Sequence, residues 1–106
     1  MKLYTEIEKS FPNLEKLFTT EELTVFINTT VSDLSLYHFG LGTWIRNNLL
    51  YPKESRLYHL FLENGIEQPD DMSSFIIKLF HYHMAKKINR STKKLHQCNS
   101  TLSLPQ

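Results

Sequence analysis

Apolar residues recur at three- and four-residue intervals along most of the chain, and no stretch alternates at the two-residue period of a half-buried strand. The pattern predicts an all-α domain. Leu3, Ile7 and Phe11 lie four apart, and Pro12, which has no amide donor and restricts the residue before it, is expected to end a first short helix. Leu14, Leu17 and Phe18 form the next apolar cluster. Thr19 and Glu22 then have the spacing of a capping box, which predicts a helix over roughly 20–28 with Leu23, Phe26 and Ile27 on its inner face. The polar, β-branched run Asn28-Thr29-Thr30 stops it.

Ser32 or Asp33 can cap a central helix whose stripe is Leu34, Tyr37, Leu41, Trp44 and Ile45. Gly40 and Gly42 fall inside that helix, each costing about 1 kcal/mol of propensity relative to alanine. Either a neighbouring helix approaches closely there, or the Gly-Leu-Gly marks a kink or break. Asn47-Asn48 and Tyr51-Pro52 end the element. Ser55 to Asn64 reads as another helix, with Leu57, Leu60 and Phe61 inward and Gly65 at the left-handed stop. Pro69-Asp70-Asp71 is a strong helix start, because the proline φ suits the first turn and the acids meet unpaired amides. Met72, Phe75, Ile76, Leu79, Phe80, His83 and Met84 extend its stripe to about Lys87. Trp44, on the central stripe, is expected in the core.

These elements amount to a single compact domain of four to five helices over residues 1–88, followed by a polar, basic tail over 89–106 expected to be flexible and disordered. A length of 106 residues with 41% hydrophobic and 12% aromatic content suits one such core without metal or disulfide staples. The net charge of +1 hides an asymmetry. Residues 1–83 carry seven cations against eleven acids, a balance of −4, whereas residues 84–106 carry Lys86, Lys87, Arg90, Lys93 and Lys94 and no acid. That composition allows weak nucleic-acid contact through the tail, while the helices of the body show no basic recognition stripe. Charged residues from the start of the chain, and the lack of a 20-residue apolar run, lead to the expectation of a cytoplasmic protein with no membrane contact. Cys98 has no intramolecular partner.

Two blocks carry a family likeness: Tyr37-His38-Phe39-Gly40-Leu41-Gly42-Thr43-Trp44-Ile45-Arg46-Asn47-Asn48, and Pro69-Asp70-Asp71-Met72-Ser73-Ser74. The chain resembles a group of small uncharacterised bacterial proteins with an F-H-x-x-L-G-x-W-I-R-N-N segment followed by P-D-D-M-S-S. The first block departs from the pattern, since here histidine precedes phenylalanine and the residues after Asn48 lack a further Trp and Gly. The resemblance implies a discrete module and no particular activity. It directs attention to Trp44, Arg46, Asn47, Asn48, Asp70, Asp71 and Ser73.

An arginine at one helix end and carboxylates at the start of another can form charge-assisted hydrogen bonds that hold the helices in register. Arg46, Asp70 and Asp71 are expected to form such a structural clasp, with Asn47 and Asn48 satisfying last-turn carbonyls. The alternative makes His38, Arg46, Asn47, Asn48, Arg56, Asp70, Asp71 and Ser73 a polar ligand site, with a phosphate held by Arg46 and Arg56 or a divalent ion by the aspartates. His81 and His83, two apart on a helix, face different ways and cannot chelate together, and His83 on the apolar stripe is expected to be a hydrogen-bonded core histidine. No nucleophile context, metal spacing or phosphate loop is legible, so no catalytic residue, metal or cofactor is assigned and the reading leans away from an enzyme. By elimination, the expected role is a small cytoplasmic interaction module of an immunity, regulatory or mobile-element kind that binds a partner protein. A nucleic-acid-associated regulator using the basic tail is the alternative.

Overall fold

The computed structural model describes residues 2–51 and 55–98, with 88–98 as backbone. It is all-α, with α1 (Lys2–Glu8), α2 (Phe11–Glu15), α3 (Thr20–Asn28), a 3-10 segment (Val31–Tyr37), α4 (Leu41–Ile45), a π-helical turn (Arg46–Leu50), α5 (Arg56–Glu63) and α6 (Pro69–Cys98). Helix α6 is the spine. It receives α3, the 3-10 segment, α4 and the π turn along its length, while α1 packs on α5.

Pro12 does not terminate a helix; it starts one. The break falls earlier, at Lys9-Ser10, and Pro12 sits in the first turn of α2, where its missing N–H leaves no bond unmade. Ser10 is buried there and donates its hydroxyl to the Ile7 carbonyl at 2.6 Å. The capping box of α3 forms as its spacing requires, with the Glu22 amide donating to Thr19 Oγ1 at 3.1 Å and the Thr19 amide to Glu22 Oε1 at 2.9 Å. At the end of α5, Gly65 takes φ +83°, and the Ile66 and Gly65 amides donate to the Phe61 and Leu62 carbonyls. Those two bonds make the Schellman stop that only a left-handed residue permits cheaply.

The central helix is broken. Thr30, not Ser32 or Asp33, caps a 3-10 segment by accepting from the Asp33 amide, and the chain turns through His38-Phe39-Gly40 before α4 begins. Helix α4 then widens directly into the π turn, which ends at Tyr51 with its amide donating to the Arg46 carbonyl at 2.8 Å. The break and the additional N-terminal helix together give six α-helices plus the 3-10 and π segments among the described residues. At the other end, α6 continues as helix to Cys98, beyond the stop near Lys87 that its cations suggest. Ala85 to Cys98 contains no Gly or Pro to interrupt the ladder. The expected tail of residues 89–106 therefore begins as helical backbone, and residues 99–106 lie outside the described ones.

The core is centred on Phe80 of α6, whose ring lies 5.5 Å from Phe11, 6.1 Å from Phe18 and 5.5 Å from Phe26. One residue of α6 thereby ties together α2, the loop before α3, and α3. Met72, Ile76, Ile77 and Met84 continue the buried face. Phe75 and His83, on the expected stripe, sit at its margins: Phe75 meets Phe61 edge-on at 5.8 Å, and the half-buried His83 ring lies 4.8 Å from Phe11. The core-edge histidine with a hydrogen bond is instead His81, at 3.2 Å from the Ile27 carbonyl. Trp44 is half-buried and packs against the core without entering it, because the break before α4 rotates it away from the Leu34 stripe.

Phe26→Ala is expected to cost about 3–5 kcal/mol, as for a fully buried ring, and Trp44→Ala distinctly less. Thermal melts of the two variants check the order, and the reverse order would place Trp44 in the core.

Candidate functional site

The polar residues singled out by the sequence divide into two groups. Helix α4 approaches α6 at Gly42, where an added Cβ would lie 3.1 Å from Arg46 Nη1, 3.6 Å from the Tyr37 carbonyl and 3.7 Å from Ser73 Oγ. One turn later, Arg46 reaches back into that contact. Its Nη1 donates to Ser73 Oγ at 3.0 Å and its Nη2 to Thr43 Oγ1 at 3.1 Å. Ser73 is fully buried and donates in turn to the Asp70 carbonyl at 3.1 Å, which fixes its lone pairs toward the guanidinium. Asp70 Oδ1 stands 3.6 Å from Arg46 Nη1 and 3.9 Å from His38 Nε2, the latter an ion pair when the ring is protonated. The guanidinium side chain is 11% exposed and the Asp70 side chain 70%.

Burial decides which bond matters. A nearly buried guanidinium is costly to leave short of acceptors, and the acceptor closest to it is Ser73. The Asp70 carboxylate, mostly in water, adds an exposed pair of small net worth. The cluster is thus a tie between α4 and α6 in which the serine, not the aspartate, is the principal partner. Thr43 belongs to it and was not signalled by the sequence, although its position one turn before Arg46 on the same face is the trace it leaves.

The remaining candidates lie elsewhere. Asp71 and Asn47 are exposed, and Asp71 does not reach Arg46. Asn48 donates to the Trp44 carbonyl at 2.9 Å, as an amide closing a helix end. Arg56 meets Glu6 of α1 at 3.5 Å, so it serves the α1–α5 contact and does not join Arg46 around a phosphate. Lys87 pairs with Glu15 at 3.6 Å, and Lys86 stands over the Tyr82 ring at 5.5 Å. The side chains of Arg90, Lys93 and Lys94 lie outside the described residues. Among the described residues no group of three His, Cys, Asp or Glu is placed to hold a metal ion, and no helix is long and apolar enough to cross a membrane.

A second feature had no signal in the stripe. The 3-10 segment and the turn after it expose Val31 at 62%, Leu36 at 77% and Phe39 at 84%. A groove of about 500 Å³ runs between this strip and α6, bounded by Val31, Phe39, Ile77 and Lys78. On the other side of the segment, an apolar groove of about 460 Å³ is walled by Phe18, Val25, Tyr37 and Trp44.

Such a chain is a small all-α module, a broken central helix tied to a long spine and an apolar strip displayed beside the tie. It belongs to the family described as a domain of unknown function (DUF6794), whose model matches residues 5–84. That span takes in the N-terminal helices, the tie and the buried face of α6, in keeping with the resemblance to an uncharacterised family. No curated protein and no solved structure matches the chain.

Ser73→Ala, which leaves the guanidinium short of an acceptor, is expected to cost about 1–3 kcal/mol, and Asp70→Asn about 0–1 kcal/mol. Double-mutant cycles should give stronger coupling for Arg46 with Ser73 than for Arg46 with Asp70. The opposite ranking would make the carboxylate the anchor.

Proposed function

We propose that the protein is a small bacterial cytoplasmic module that acts by binding a partner protein, in an immunity, regulatory or mobile-element setting. The observation that carries this reading is the strip Val31, Leu36 and Phe39. Its three large apolar side chains stand in water within a nine-residue stretch. Val31 and Phe39 both border the groove against α6; exposed apolar surface of this kind marks contact sites, and an aromatic anchor beside a groove is a common centre of binding energy. The strip is also held in place: Thr30 caps it at one end, and His38 at the other faces Asp70 of the tie. A surface fixed before binding loses less entropy on association. The reading does not use the Arg46 cluster as a ligand site, because that guanidinium is already committed to Ser73 and Thr43.

The test is affinity capture from the native host with the full chain and with a Leu36→Ser/Phe39→Ser variant, analysing both protein and nucleic acid. The variant should keep its thermal stability within about 0.5 kcal/mol, as surface changes do, and lose a protein that the parent captures. Equal capture by both would remove the strip from the account. Salt-sensitive recovery of nucleic acid, lost on neutralising Lys86, Lys87, Arg90, Lys93 and Lys94, would favour the nucleic-acid regulator instead.

A further inference from the structure

The groove walled by Phe18, Val25, Tyr37 and Trp44 is a different surface, and its chemistry is one-sided. The charge in its lining is Glu22, and Phe18, Tyr37 and Trp44 contribute aromatic rings, whose faces attract cations. A long cationic side chain with an apolar stem suits such a groove, as lysine and arginine supply. The surrounding body is acidic, with eleven acids against seven cations over residues 1–83. The same chain carries the complement. Residues 88–98, Ile-Asn-Arg-Ser-Thr-Lys-Lys-Leu-His-Gln-Cys, hold three Lys or Arg, two aliphatic residues and no acid, on backbone that is helical to Cys98.

Geometry favours a second copy over the chain's own segment. Lys87 pairs with Glu15, two residues before Leu17, which also lines the groove, so α6 leaves the body beside it. A helix rising about 1.5 Å per residue carries its own basic segment onward past that point. A second copy offers the same segment and the same groove, so one two-fold arrangement would pair both at once. We propose that the groove receives the basic segment 88–98 of a second copy in a closed, two-fold dimer. Closure follows from reciprocity, since each copy offers one groove and one segment to the same partner, and the binding mode is a helix laid in an apolar groove.

Sedimentation equilibrium of the full chain over a range of protein concentrations tests this. The expected result is a monomer–dimer equilibrium that weakens at about 0.5 M salt, where the charges are screened. Lys93→Glu/Lys94→Glu, and separately Val25→Lys, should each weaken the dimer at least tenfold while circular dichroism stays unchanged. Val25 is chosen because it is exposed and leaves the capping box intact. Combining the two sets of changes should restore association in part, because the lysine introduced at position 25 then meets the glutamates introduced at 93 and 94. A chain that is monomeric at every concentration overturns the proposal, as does a dimer untouched by either variant. A dimer lost only in the Leu36→Ser/Phe39→Ser variant also overturns it and moves self-association to the strip.

Discussion

Helix α4 meets α6 closely at residue 42, where the missing side chain leaves room for the Arg46 guanidinium. The space a Cβ would take at Gly42 is bounded by the Arg46 guanidinium, the Tyr37 carbonyl and Ser73 of α6, and the guanidinium is itself held by Ser73 and Thr43. Glycine in a helix costs about 1 kcal/mol relative to alanine, and the contact it permits offsets that cost by giving a nearly buried cation its acceptors. The segments on either side of this point also pack on α6. Upstream, the 3-10 segment is fixed between Thr30 and the tie; downstream, the π turn uses its wider pitch to bring Leu50 into the core while Arg46 stays turned toward α6.

The aromatic hub at Phe80 and the polar tie at Ser73 lie on the same buried helix, about two turns apart. The hub fixes the N-terminal helices, and the tie fixes the segment between α3 and α5. Neither interaction requires residues past Met84, the last buried position among the described side chains. The described part of the basic end, Lys86 and Lys87, is exposed, and residues 1–83 carry the opposite balance of charge. One surface strip and one groove, on either side of the 3-10 segment, follow from the same arrangement: a helix broken by glycine shows both flanks to water, where a continuous one would have buried a stripe.

Local chemistry was legible in the sequence at several element boundaries, where the signal lies within one turn. The Thr19–Glu22 capping box, the Gly65 stop and the Pro69 start all form where their spacing places them. Other features depend on partners far along the chain. Pro12 is equally fit to end one helix or begin the next, and burial of Ser10 and Phe11 decides for the second. Gly40 and Gly42 carried both outcomes, close approach and break, and both occur: the chain breaks at Gly40 and packs closely at Gly42. Arg46 was matched by charge to Asp70 and Asp71, yet its main partner is a neutral serine 27 residues away, because burial ranks a near acceptor above an exposed carboxylate. Arg56 and Glu6 meet across α1 and α5 for reasons of packing, which no one-dimensional pattern records.

The central claim is that Gly42 is required as the point where α4, Arg46 and α6 meet, and Gly42→Ala tests it with a choice of sign. At an ordinary helical position the alanine would raise stability by about 1 kcal/mol. Here its methyl group would stand 3.1 Å from a guanidinium that is 11% exposed and bonded on two sides, so Arg46 must shift by a few tenths of an ångström against its bonds to Ser73 and Thr43. Equilibrium denaturation of Gly42→Ala should therefore show a lower midpoint than the parent, and a raised midpoint would contradict the account.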